Sequence, residues 1–178
     1  AERIVLDRWL NSIPLLISVT GTRGKSSVTR IIASILRENG MKILAKTTGS
    51  EAKWILPDGA ERDVKRRGVP SIHEQKKLIK QAKDLKVDCI VSEIMSIHPE
   101  NHFVESQQIL KPHIVVMTNV RLDHTDAMGN TLEQIASVFS QDIPQKAIVF
   151  IPENENIAIF SSVVERKNGQ LFRVASEM

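Results

Sequence analysis

Cysteine occurs once and tyrosine not at all in this chain of 178 residues. A lone Cys89 excludes an intramolecular disulfide and a cysteine-based zinc cluster, and it points to a reducing compartment. Its place in the run Cys89-Ile90-Val91 marks it as a core residue. Aromatic residues make up only 4%, too few for stacking on nucleic-acid bases to be the theme. Neither charge dominates: the formal net charge is +3, which suits small anionic substrates and excludes the polycationic footprint of a nucleic-acid binder. No apolar run approaches the ~20 residues that span a bilayer, and no signal peptide is visible, so the sequence predicts a soluble chain. What is present, 42% hydrophobic and 25% charged residues, suits a single compact α/β domain.

The stretch Leu15–Arg30, LLISVTGTRGKSSVTR, organises the rest. Leu15, Leu16, Ile17 and Val19 read as a buried strand. The strand breaks at Thr20-Gly21-Thr22-Arg23-Gly24, and Lys25-Ser26-Ser27 opens a helix patterned by Val28, Ile31, Ile32 and Ile35. Strand, glycine loop, Lys-Ser and helix together are the context of a phosphate-binding loop. The glycines let backbone N–H groups face an anion, Lys25 reaches the β/γ phosphates, and the Ser26 hydroxyl reaches a magnesium ion. The loop is shorter than the usual GxxxxGK[ST], because Val19 stands where that pattern has a glycine.

Along the chain, residues 2–11 predict an amphipathic helix with Ile4, Val5 and Trp9 inward. The loop helix should run to about Glu38 and stop at Asn39-Gly40. Lys42–Lys46 predicts a strand parallel to the first, ending in the hydroxyl-rich Thr47-Thr48-Gly49-Ser50, which reads equally as ligand loop or simple turn. Pro57-Asp58-Gly59 signals a hairpin. The basic cluster Arg62, Lys65, Arg66 and Arg67 fits a solvated surface or a face toward an acidic substrate. Ser71 and Glu74 have capping-box spacing for a helix with Leu78, Ile79 and Ala82 inward. Asp88–Ser92 reads as a strand delivering Glu93 to its carboxyl end, a position suited to magnesium. A helix from Pro99 to about Leu110 and a strand Ile114–Met117 follow, the strand delivering Asn119, Asp123 and His124 to the same edge. His124 is a candidate metal ligand, with Asp123 orienting it. His73, His98, His102 and His113 read as surface or cap histidines. Helices over Thr131–Gln141 and Glu153–Lys167, and strands Ala147–Phe150 and Leu171–Val174, complete the pattern. The predicted fold is α/β: a mostly parallel sheet flanked by helices around a P-loop.

VTGTRGKSSVTR, the KTTG of Lys46–Gly49, SEIMS around Glu93 and TNVRLDHTDAMGNTLEQIA at 118–136 resemble the Mur ligase superfamily. With RRG, Pro70 and Ile72…Glu74-Gln75 added, the closest resemblance is to the ligase subunits of poly-γ-glutamate synthases. It covers roughly residues 14–150 and implies a Mur-ligase central domain performing ATP-dependent amide-bond formation through an acyl phosphate. The implied cofactors are ATP and Mg²⁺. Thr20, Gly21, Thr22, Arg23, Gly24, Lys25, Ser26, Ser27 and Asn119 would bind the nucleotide, and Lys25 and His124 would be catalytic. Ser26, Glu93 and His124 would hold metal, and Lys46, Thr47, Thr48, Arg66, Arg67 and Asp123 would face substrate. The implied partners are ATP, glutamate or its γ-linked polymer, and membrane subunits of a capsule or polymer synthase at the cytoplasmic face of the membrane. Nucleic acid is not expected, and homo-oligomerisation is left open.

Two departures accompany the resemblance. Many Mur ligases carry a carbamylated lysine on the helix after the Asp-His motif. The matching position is Val138, and Thr131–Gln141 contains no lysine. The family's downstream segments and the amino-terminal membrane segment of such synthases are also absent. The chain therefore reads as one ATP-binding domain over 1–178, with an amino-terminal helix at 1–12, either truncated or separately encoded. Another Mur-type ligase extending a peptide or folate tail, or a non-catalytic nucleotide-binding module of a membrane assembly, stands as an alternative.

Overall fold

The phosphate-loop strand lies inside the sheet, covered on both faces. The computed structural model describes residues 2–49, 51–66, 68, 70–155 and 157–175. Among them eight strands form one sheet in the order β4-β3-β2-β5-β1-β6-β7-β8. β1 (Leu15–Thr20), β2 (Ile43–Lys46), β5 (Cys89–Glu93), β6 (Ile114–Met117), β7 (Ile148–Pro152) and β8 (Gln170–Val174) run parallel. The hairpin β3 (Lys53–Ile55) and β4 (Glu61–Asp63) adds an antiparallel edge. Its turn follows the predicted Pro-Asp-Gly chemistry, with the Asp58 carboxylate accepting from the Ala60 N–H. β2 is parallel to β1 as expected, but β5 pairs between them. The chain thus leaves β1 on one side for β2 and returns on the other for β6, and this reversal opens a crevice at the strands' carboxyl ends.

Alternate residues of β1 serve opposite faces, as a doubly covered strand requires. Ile17 and Val19 join Ala45, Cys89 and Val91 under α2 (Lys25–Glu38), against Val28, Ile32 and Leu36. Burial pushes the Cys89 thiol up to about 12, in keeping with a packing role. Leu16, Leu44 and Ile90 face α3 (Glu74–Leu85) and α1 (Glu2–Leu10). A third cluster, centred on Val115, Ile135, Val149 and Phe160, packs α6 (Leu132–Phe139) and α7 (Ile157–Arg166) under β6 and β7.

Two helix faces differ from the predicted ones. In α2 the small Thr29 and Ala33 are buried toward the sheet, while Ile31 and Ile35 are each 56% exposed. In α1 the inward residues are Leu6, Trp9 and Leu10, with Ile4 and Val5 exposed. The segment predicted as one helix from Pro99 is α4 (Pro99–Phe103) continuing as a π-helix over Val104–Leu110. A short α5 (Thr125–Met128) precedes α6, and Thr131 caps α6 through a full capping box with Gln134. Ser71 does not make the predicted box with Glu74. Its hydroxyl accepts from the His73 N–H instead, and the Glu74 carboxylate turns to Arg66 and Lys46.

Candidate active site

The loop between β1 and α2 is held by the segment that follows β6. Gly21 has φ +120°, and a Cβ there would lie 2.3 Å from Thr118 Oγ1 and 2.8 Å from the Asn119 carbonyl oxygen. Only glycine fits this approach. The Thr22 N–H donates to the Asn119 carbonyl at 2.9 Å, and Thr22 Oγ1 accepts from the Arg121 N–H at 2.9 Å. Asn119, expected at the nucleotide, spends its amide on the loop itself: Oδ1 accepts from the Arg23 N–H and Nδ2 donates to the Arg23 carbonyl, both at 3.0 Å. Arg23 and Asp123 close the seam with an ion pair of 3.0 Å. Lys25 Nζ folds back over the loop, donating to the carbonyls of Gly21 at 2.8 Å and Thr22 at 3.3 Å. Burial pushes its ammonium below the ordinary lysine range, against the pull of Glu93 and Asp142. Ser27 is exposed on the first turn of α2.

Glu93 joins three segments. Its Oε2 accepts from the Ser26 hydroxyl at 2.7 Å and from the Thr48 N–H at 2.9 Å. Hydroxyl and carboxylate oxygens are the donors that magnesium prefers. No group of three His, Cys, Asp or Glu side chains among the described residues gathers closely enough to hold an ion alone. Magnesium needs only one or two protein oxygens and completes its shell with phosphate and water. His124, at φ +47°, begins α5 and is exposed. It lines the same pocket as Lys25, Thr48, Glu93 and Asp123, an opening of about 230 Å³ at the carboxyl ends of the strands.

The floor of that pocket departs from the sequence expectation. His102, predicted at the surface or as a cap, is 1% exposed and lines the pocket beside Phe139. Its Nδ1 lies 2.9 Å from Asp142 Oδ1 and 3.0 Å from Oδ2. Asp142 also accepts from the hydroxyl of Thr20, the last residue of β1. Burial works against the charged imidazole, yet the Asp142 carboxylate outweighs it and raises the His102 pKa. Nearby Glu105, fully buried on the π-helix, accepts from the N–H groups of Met95 and Ser96, the Ser96 hydroxyl and the Gln75 amide. It thereby fixes the loop after Glu93 that forms one wall. Val138, the position of the family's carbamylated lysine, is buried in the core, and Phe139 is the residue of α6 that meets the pocket.

The residues expected at substrate divide. Thr48 and Asp123 line the pocket. Lys46 and Thr47 do not: both are fully buried. Lys46 Nζ lies 3.2 Å from Glu74 Oε2, off the direction of a hydrogen bond, and burial pushes its ammonium down against that pull. Lys46 is therefore corrected from a substrate contact to a buried ion-pair partner. Arg66 pairs with Glu74 at 2.8 Å and donates to the Thr48 carbonyl at 3.3 Å, bracing the Thr48 loop from behind. Arg67, the remaining substrate candidate, lies outside the described residues. His102 and Glu105 had a sequence signal, since both share a helical stripe with Ile109. Asp142 had none, because its partners lie 40 and 122 residues away.

Crevice, glycine loop, Lys-Ser and strand-end glutamate define a domain of the phosphate-loop class. The chain belongs to the Mur ligase family, whose middle-domain model matches residues 19–176. It is 35% identical over 163 residues to the capsule biosynthesis protein CapB of Bacillus anthracis, covering 89% of this chain and 35% of that protein. To the PGA synthase CapB of Bacillus subtilis it is 35% identical over 161 residues, covering 89% and 41%. The chain thus spans between a third and a half of the length of these relatives. Its fold matches a bifunctional folylpolyglutamate synthase/dihydrofolate synthase with Mn, AMPPNP and L-glutamate bound, at TM-score 0.75 and 16% identity, over 97% of this chain and 46% of that one.

Proposed function

We propose that this chain is the ATP-binding part of an amide ligase that builds poly-γ-glutamate. The observation that carries this reading is the Ser26–Glu93–Thr48 junction beside a phosphate loop, in a chain 35% identical to a capsule CapB and to a PGA synthase. A γ-carboxylate oxygen of glutamate attacks the γ-phosphorus of ATP, and ADP leaves. The amine of a second glutamate then attacks the acyl carbon, phosphate leaves, and the nitrogen loses its proton. Lys25, released from the loop carbonyls, steadies the transferring phosphoryl group, which is the larger part of what such a site must supply. Ser26 and Glu93, with His124 from the facing loop, would hold magnesium, which neutralises charge on the phosphate oxygens. Thr48 and Asp123 flank the acceptor space. A polymer bound for the capsule has to leave the cell, so the ligase works beside membrane subunits at the cytoplasmic face.

The test is phosphate release from Mg·ATP with and without glutamate, with hydroxylamine present to trap an acyl phosphate as hydroxamate. Glutamate-dependent phosphate and hydroxamate support the ligase. Nucleotide binding with no glutamate-dependent turnover favours the non-catalytic module.

A further inference from the structure

Beneath the phosphate loop lies a polar group that none of the contacts above uses. With Nδ1 of His102 turned to Asp142, the opposite edge of the ring carries Nε2, which is buried and has no hydrogen-bond partner among the described residues, although the residue itself lines the pocket. Asp142 is itself held by the Thr20 hydroxyl and the imidazole, and its backbone carbonyl accepts from the Ser106 hydroxyl at 2.6 Å. The ring stands edge-on to Phe139, with centroids 5.7 Å apart, so it is held from both sides. A carboxylate only accepts, so Nδ1 carries the proton. The charged groups acting on the ring are Asp142 and Glu105, which favour its cationic form, and Lys25, which opposes it. An imidazolium whose second N–H is buried without an acceptor is costly. A partner that arrives with the ligand removes that cost, and an anionic oxygen suits a cationic donor best.

We propose that His102, locked by Asp142 at the pocket floor, binds an anionic oxygen of the ligand through Nε2, either a phosphoryl oxygen of the nucleotide or the carboxylate to be activated. The site lies beside Phe139, the residue that α6 presents to the pocket one position past Val138, so a side chain of α4 brings an imidazole to a floor where α6 presents a hydrocarbon ring. Thr20 ties the pair to the start of the phosphate loop. This inference rests on the nucleotide-binding reading above.

The test is the imidazole nitrogen spectrum of the ¹⁵N-labelled chain, with His102 identified among the five histidines by His102→Gln. Three probes are titrated separately: inorganic phosphate, Mg²⁺ with a non-hydrolysable ATP analogue, and glutamate. The expected result is a shift of His102 Nε2 as one of them saturates. A response to phosphate or the analogue assigns the phosphoryl oxygen, and a response to glutamate alone assigns the carboxylate. Binding seen by calorimetry with His102 Nε2 unmoved overturns the inference and leaves an enclosed water as its partner. Binding of none of the three overturns the nucleotide reading and this inference with it. In variants, His102→Leu is expected to weaken the responding ligand about 10–100-fold, the range for a hydrogen bond to a charged group, and His102→Gln to restore part of it. Equal affinities in both folded variants would make His102 a packing residue.

Discussion

Gly21 and Gly24 both have positive φ, yet they answer to different constraints. A Cβ at Gly21 collides with Thr118 Oγ1 and the Asn119 backbone, whereas one at Gly24 meets nothing within 4 Å. Gly24→Ala should therefore cost only the left-handed strain of about 1–2 kcal/mol. Gly21→Ala should cost more and also open the seam between the loop and residues 118–121, so denaturant unfolding and nucleotide affinity should both fall. Affinity that survives Gly21→Ala would show that the seam is not what shapes the loop. The His102–Asp142 pair makes a second prediction at this scale. The folded His102 pKa lies above its ordinary 6.5, so the pair's stabilisation is complete below about 6.5 and is lost as pH rises through the folded value. Unfolding free energy measured from pH 5 to 9 should carry that falling component, and Asp142→Asn should remove it. Both glycines are legible in the sequence as loop glycines. Only the fold separates them, because the atoms that crowd Gly21 come from a segment nearly 100 residues away.

At the scale of elements, the junction of β2 and α3 is a buried ionic knot rather than a helix cap. Lys46 is fully buried beside Glu74, which Arg66 also pairs. Glu74→Gln leaves the Lys46 charge uncompensated, and thermal or denaturant unfolding should show a loss of about 3–5 kcal/mol. Lys46→Met leaves Glu74 its arginine and should cost distinctly less. If the two variants lose equal stability, the knot is not organised around Glu74. The Thr131 capping box is a simpler device, and Thr131→Ala should cost about 1 kcal/mol. The sequence shows these elements well where periodicity and turn chemistry are local, as in β1, the Pro-Asp-Gly hairpin and α6. It misplaces the Ser71–Glu74 cap because the same spacing serves an ion pair reaching across to β2. In α2 the apolar pattern holds for Val28 and Ile32 but not for Ile31 and Ile35, which stay outside while the small Thr29 and Ala33 make the closest approach to the sheet.

For the molecule as a whole, the topology gathers everything of chemical interest at one edge. β1 contributes the loop, β2 the Thr48 turn, β5 Glu93 and β6 the Asn119–His124 segment. Motifs in that order are enough to anticipate a mostly parallel sheet and to bring Thr48, Glu93, Asp123 and His124 to one edge of it, since each lies at or past the end of a parallel strand. The pocket floor escaped because buried polar partners carry no periodic signature and are matched only by folding. No helix of the described residues is long and apolar enough to cross a membrane. The central claim is that the glycine loop, Lys25 and the Ser26–Glu93 pair form a magnesium-nucleotide site. The most direct measurement is calorimetric titration of Mg·ATP into this chain and into Lys25→Ala, repeated without magnesium. The account predicts saturable, magnesium-dependent binding by the parent and a loss of at least tenfold in the variant. Equal binding by both proteins, or binding indifferent to magnesium, would contradict it.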